Sequence, residues 1–123
     1  SDVVSVHAPS LPETRHLIDA AGLALLRDGA VLINTSRGAL IDQQALIDEL
    51  RTGRISAMLD VTEPDVLPAE SPLYDLPNVL LTPHMAGYGP HLNERRFQII
   101  QDNCRAFATG QPLRNMVDKT TWF

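Results

Sequence analysis

Apolar residues in this chain come in short, dense blocks separated by polar stretches rich in proline and glycine. Val3 to Val6 is a β-branched run closed by His7-Ala8-Pro9, and it predicts a buried strand. The next segment, LPETRHLI, is polar and proline-marked and predicts a loop. Asp19 stands where it can cap a helix over Ala20 to Arg27, with Gly29 just past the end. Ala30 to Ile33 predicts a second buried strand. Asp42 caps another helix, on which Leu46, Ile47 and Leu50 share one face and which Gly53 stops. Ile55 to Leu59 and Val79 to Leu81 predict a third and a fourth strand, joined by the proline-rich link EPDVLPAESPLYDLPN. Phe97, Ile100, Cys104 and Phe107 recur at helical spacing before Gly110 and Pro112, so that stripe, Cys104 included, is expected to be core. The closing LRNMVDKTTWF predicts an irregular tail.

Short, nearly continuous apolar strands alternating with capped helices predict an α/β fold, a parallel sheet covered on both faces. Right-handed crossovers then point every strand the same way and open all the carboxyl ends onto one edge. The chain begins at SDVVSVHAP already inside a regular element, which reads as part of a longer protein.

Bulk properties narrow the setting without deciding the function. A length of 123 residues suffices for one domain with a real core, and 44% hydrophobic with 20% charged residues is ordinary for a globular protein. The net charge of −5 argues against nucleic acid or an anionic membrane as partner. The single cysteine, Cys104, precludes an internal disulfide and makes a reducing cytoplasm the expected location.

Ligands of open parallel sheets bind beyond the carboxyl ends of the strands, so the residues there carry the chemistry. The first strand is followed by His7-Ala8-Pro9, the second by Asn34-Thr35-Ser36-Arg37-Gly38. The third ends in Asp60 and then Val61-Thr62-Glu63-Pro64-Asp65; the fourth runs into Thr82-Pro83-His84 and Met85-Ala86-Gly87. Taken singly, Arg37 reads as a solvated surface charge, His84 as a satisfied buried histidine, and Asp60 and Asp65 as turn caps. His16 and His91 read as surface residues without partners. Together, a cation, several carboxylates and a histidine on one rim read as a site.

Two chemistries use such a set. Acyl transfer needs Ser36 as nucleophile and His84 as base, but Asn34 stands where a serine elbow requires glycine, so a hydrolase is disfavoured. Hydride transfer on a hydroxy acid needs a cation for the carboxylate, a proton-relaying histidine and a carboxylate to tune it. Arg37 suits the first task because a planar guanidinium grips a carboxylate through two parallel hydrogen bonds.

The segments DVVSVHAPSLPETRHLI, GAVLINTSRGALID, ALIDELRTGRISAMLDV, SPLYDLPNVLLTPHMAG and GQPLRNMV occur in that order along nearly the whole chain. In them the chain resembles the carboxyl-terminal part of the D-isomer-specific 2-hydroxyacid dehydrogenases, most specifically in the Arg-Gly motif and the later Pro-His-x-Ala. The resemblance implies half of a Rossmann-type doubly wound sheet. Residues 1–89 would be the second half of an NAD(P)-binding domain, and 90–123 a helix and tail returning toward a substrate domain. It also implies a 2-keto or 2-hydroxy acid substrate, NAD or NADP as cofactor, no metal, and a homodimer at full length. By the same resemblance Arg37 holds the substrate carboxylate and carbonyl, and His84 is the acid–base. His7, Pro9, Thr14, Thr35, Arg37, Asp60, His84 and Gly87 fall at positions that line the cofactor, Asp60 at the nicotinamide carboxamide. The family's glutamate partner of the histidine corresponds to Asp65, one methylene shorter, with Glu63 as a nearby substitute. A longer or lost hydrogen bond to His84 is expected, with a lower basic limb of the pH–rate profile. The sequence holds no Gly-x-Gly-x-x-Gly and no ribose-reading acidic residue, so NAD and NADP are not distinguished and the 123 residues alone are expected not to turn over substrate. A nucleotide-sensing binding protein of the same family is the alternative.

Overall fold

Four parallel strands lie side by side in chain order: β1 (Val3–Val6), β2 (Val31–Asn34), β3 (Ser56–Leu59) and β4 (Val79–Leu81). Their register sets Val6 beside Asn34, Asn34 beside Leu59 and Leu59 beside Leu81, so the carboxyl ends are level and the loops after them emerge along one rim. A computed structural model describes residues 1–120; the last three residues of the predicted tail lie outside the described residues. The chain divides into two compact units, Ser1–Gly87 and Tyr88–Phe123.

In the first unit the helices follow from their caps. The Asp19 carboxylate accepts from the Gly22 amide at 2.8 Å and starts α1, Ala20–Ala24. α1 stops short of the predicted Arg27 because Arg54 takes the carbonyls of Leu23 and Leu26. The Asp42 carboxylate accepts from the Ala45 amide at 3.1 Å and starts α2, Gln43–Arg51. α2 buries Leu46, Ile47 and Leu50 against Leu32, Ala57 and Leu59 of the sheet. At its far end the Asn78 amide donates to the carbonyls of Leu50 and Ile55, and Gly53 reverses the chain at a φ of 73°.

The expectation of a sheet covered on both faces is not met in this unit. One face carries Val6, Leu32, Asn34, Ala57 and Leu59, all buried. On the other, Val3, Met58 and Leu80 are about half exposed. The reason is topological. A right-handed crossover places its connection on a fixed side of the sheet for a given direction of travel, and β1 to β4 advance without reversing.

The second unit consists of α3, Leu92–Ala108, and an irregular segment after it. α3 ends in a Schellman arrangement: Gly110 has a φ of 65°, and the amides of Gln111 and Gly110 donate to Ala106 and Phe107. The chain then turns back on the helix, where the Asn103 side chain pairs with both backbone groups of Arg114. The predicted core stripe is a correction: Phe97, Ile100 and Phe107 are exposed, and so is Cys104. A single helix with a tail has no second apolar layer within its own unit against which to bury such a stripe.

Candidate active site

The loop after β2 is built by Asn34, whose side chain is buried at the strand end. Its amide donates to the Arg37 carbonyl at 2.8 Å and its oxygen accepts from the Ser36 amide at 3.0 Å. The Ser36 hydroxyl donates to the Val6 carbonyl at 2.8 Å and so ties this loop to β1 rather than standing free as a nucleophile. Arg37 is exposed and donates to the Ser36 carbonyl at 2.7 Å. Among the described residues no carboxylate pairs with it. Gly38 is required at the next position, because a Cβ there would lie 2.1 Å from the carbonyl carbon and oxygen of Thr62. The loops after β2 and β3 therefore meet backbone to backbone.

The loop after β4 is organised by Asp60, at the end of β3 and only 5% exposed. Its carboxylate accepts from the Thr82 hydroxyl, from the Met85 amide at 2.8 Å and from the Ala86 amide at 2.7 Å. His84 sits between these anchors at a φ of 51°, a left-handed backbone that few side chains adopt. Its amide is shared between the carbonyls of Asp60 and Thr82, each at 3.0 Å. Strain of this kind persists only where surrounding contacts over-determine it. Burial pushes the Asp60 carboxyl up, but the hydrogen bonds from Thr82, Ala86 and Met85, with the nearby His84, outweigh burial and hold it below the usual carboxylate range.

A depressed folded-state value has a definite sign. Asp60 stabilises the fold fully at neutral pH, and that contribution is lost as pH falls through the ordinary carboxylate range and then the folded value. Asp60→Asn is expected to lower the unfolding free energy by about 2–4 kcal/mol at pH 7, since it leaves buried donors facing an amide. Urea unfolding as a function of pH checks this: the gap between the two proteins should narrow below about pH 4.

Of the three catalytic candidates, Asp65 and His84, on the loops after β3 and β4, come together. Asp65 Oδ2 lies 3.4 Å from His84 Nδ1, within ion-pair reach and beyond a good hydrogen bond, with both side chains about half exposed. They border a cavity of about 380 Å³ whose wall also includes Asp60, Thr62, Leu67 and Tyr74. Glu63, the possible substitute, is turned away and held by Arg15 through two hydrogen bonds of 2.8 and 3.1 Å. Those bonds and the charge of Arg15 hold its carboxyl below the usual range. Arg37 does not line the cavity. It stands on the same rim, with β3 between its strand and that of His84, a lateral offset of about 10 Å at the usual strand spacing.

Of the other candidates, His7, Pro9, Thr35 and Gly87 are exposed at or just beyond the ends of β1, β2 and β4. The Thr14 hydroxyl donates to the Pro9 carbonyl at 2.7 Å and closes the loop between them. His16 and His91 are not unpartnered: His16 lies 3.9 Å from both Asp42 and Glu63, and His91 lies 3.1 Å from Glu94. Sequence reasoning missed Asn34 and Ser36 as the builders of the Arg37 loop. An Asn-x-Ser directly after a buried strand is the turn signal that marks them.

Residues 1–86 match the family described as D-isomer specific 2-hydroxyacid dehydrogenase, NAD binding domain. The chain belongs to this family. Among these dehydrogenases, a glyoxylate reductase of Aeropyrum pernix is 41% identical over 97% of the chain and 36% of its own length. A D-isomer specific 2-hydroxyacid dehydrogenase of Xanthobacter autotrophicus, solved with NADPH and MES, superposes with a TM-score of 0.88 at 42% identity, over all of this chain and 50% of that one. A D-lactate dehydrogenase of Lactobacillus jensenii, solved with NAD+, gives a TM-score of 0.86 at 30% identity, over 97% of this chain and 40% of that one. The chain thus spans about a third of the length of its curated dehydrogenase relatives, and its parallel α/β fold is that of the solved ones. Among the described residues no helix is long and apolar enough to cross a membrane.

Proposed function

We propose that this chain is the second half of the nucleotide domain, with the following helix and tail, of an oxidoreductase that interconverts 2-keto acids and D-2-hydroxy acids. The observation that carries the reading is the pairing of His84 with Asp65 on the rim where Arg37 also stands, with no carboxylate partner among the described residues. Glyoxylate and hydroxypyruvate reductases among the relatives support a small 2-keto acid as substrate.

The rim fits a nicotinamide cofactor. Its exposed donors, the His7 imidazole and the Thr35 hydroxyl, suit the polar carboxamide and ribose groups, with Thr14 shaping the loop at Pro9 and Gly87 leaving space. Asp60, committed to the His84 loop, would act there chiefly through its charge. When bound, the cofactor supplies or accepts a hydride, as NAD or NADP alike.

The remaining work falls to this chain. Arg37 binds the substrate carboxylate, orients the keto group and draws electron density toward its oxygen. His84, with Nδ1 turned to Asp65, presents Nε2 to that oxygen. In reduction the imidazolium gives its proton to the forming alkoxide; in oxidation the neutral ring takes the hydroxyl proton. Asp65, 3.4 Å from Nδ1, orients the ring for that exchange.

The full-length protein, placed as a homodimer in the cytoplasm, is expected to oxidise NADH or NADPH with glyoxylate or hydroxypyruvate in a panel of 2-keto acids. The 123 residues alone are expected to be inactive. Tight nucleotide binding by the full-length protein with no turnover across the panel would overturn this reading in favour of a nucleotide sensor.

A further inference from the structure

The loop that carries Asp65 is gripped at one residue, Glu63, from three directions. The Gln43 side chain, at the first position of α2, donates through Nε2 to the Glu63 carbonyl at 2.8 Å and accepts through Oε1 from the Glu63 amide at 3.0 Å. It therefore pairs with that residue as a neighbouring strand would. The Glu63 carboxylate is held by Arg15, and His16 stands 3.9 Å from it with Asp42 behind. Gly38, next to Arg37, meets the peptide of Thr62 and Glu63 without a side chain between them. Onward from this anchor the Thr62 hydroxyl donates to the carbonyl of Pro64 and lies 3.3 Å from that of Asp65, which closes the turn.

We infer that Gln43 is a positioning residue for the acid–base step: its amide fixes the 62–65 turn, and through it the place of the Asp65 carboxylate beside His84. The inference rests on the Asp65–His84 pairing proposed above and adds the group that sets it. Only a carboxamide can do this, because it carries a donor and an acceptor at one end; a carboxylate would face the Glu63 carbonyl with a lone pair. Small displacements matter here, since Asp65 already stands 3.4 Å from the ring with both side chains half in water. The same α2 terminus follows directly on the Arg37 loop, so one amide couples the cation's loop to the carboxylate's. The charged groups facing His84 are Asp65 from this turn and Asp60 from β3, and Gln43 touches neither.

The test uses the full-length protein and the pH dependence of kcat/KM for Gln43→Ala, Gln43→Glu, Asp65→Asn and the double variant Asp65→Asn with Gln43→Ala. Asp65→Asn, which removes the carboxylate beside the ring, is expected to move the basic limb to lower pH. Gln43→Ala and Gln43→Glu should each move it the same way by at least half as much. In the double variant, removing Gln43 should add nothing. A merely structural glutamine would lower melting temperature and leave the limb in place. That outcome for either soluble single variant, beside a shifted Asp65→Asn, would overturn the inference and leave the Asp65 pairing standing. An unmoved limb for Asp65→Asn would instead remove the pairing itself. Should Gln43→Ala not fold, Gln43→Glu keeps the side chain's volume and one of its two bonds and decides alone.

Discussion

Replacing His84 by asparagine in the full-length protein is expected to lower kcat by roughly 10²–10⁴ with little change in KM. In the proposed reaction the ring supplies a proton that the facing carboxylates do not replace: Asp65 and Asp60 are acceptors, the latter fully engaged with Thr82, Met85 and Ala86. Asparagine is the right substitute because it tolerates the left-handed backbone of position 84 better than alanine or a β-branched residue. The residual activity should also lose the pH limb set by the imidazole. Steady-state kinetics with melting temperature as control make the measurement, and a kcat within tenfold of the parent would remove His84 as the acid–base.

The second large effect concerns Arg37. Arg37→Lys keeps the charge but replaces a planar fork by a point donor, and it is expected to cost about 10–100-fold in kcat/KM. The magnitude follows from losing one charge-assisted hydrogen bond of roughly 1.5–3 kcal/mol, at about 1.4 kcal/mol per decade. Arg37→Ala should cost about tenfold more. A keto substrate without a carboxylate provides the control, since its slow reduction should be nearly indifferent to the substitution. Equal losses for both substrate types would show that Arg37 shapes the loop rather than gripping the acid.

How far these residues could be foreseen differs from one to the next. The caps at Asp19 and Asp42, the β-branched run Val3–Val6 and the strand Val79–Leu81 are local signals, and the fold follows them closely. α1 is shorter than its pattern because Arg54, distant in sequence, takes its carbonyls. No window of local residues contains that fact. The exposed face of the sheet was hidden for a related reason: hydropathy shows that strands are apolar, whereas which side the crossovers take depends on strand order.

The site shows the same division. Arg37, Asp65 and His84 stand out by residue type and by their places after strands. What holds them does not. Asp60 reads as a turn cap or a cofactor contact, yet in the fold its carboxylate gathers the Thr82, Met85 and Ala86 donors around His84. The Glu63 carboxylate, a plausible partner for His84 on spacing alone, is taken by Arg15 from the far side of the loop. Such assignments are settled by competition among long-range partners, and neither spacing nor composition records the winner.

The outward-facing thiol on α3 has a practical use. Cys104 is the chain's sole sulfhydryl, and it is accessible. A maleimide dye or nitroxide added to these residues will mark one place in the second unit without mutagenesis. A second cysteine introduced on an exposed residue of the first unit would then allow a label-to-label distance to be measured.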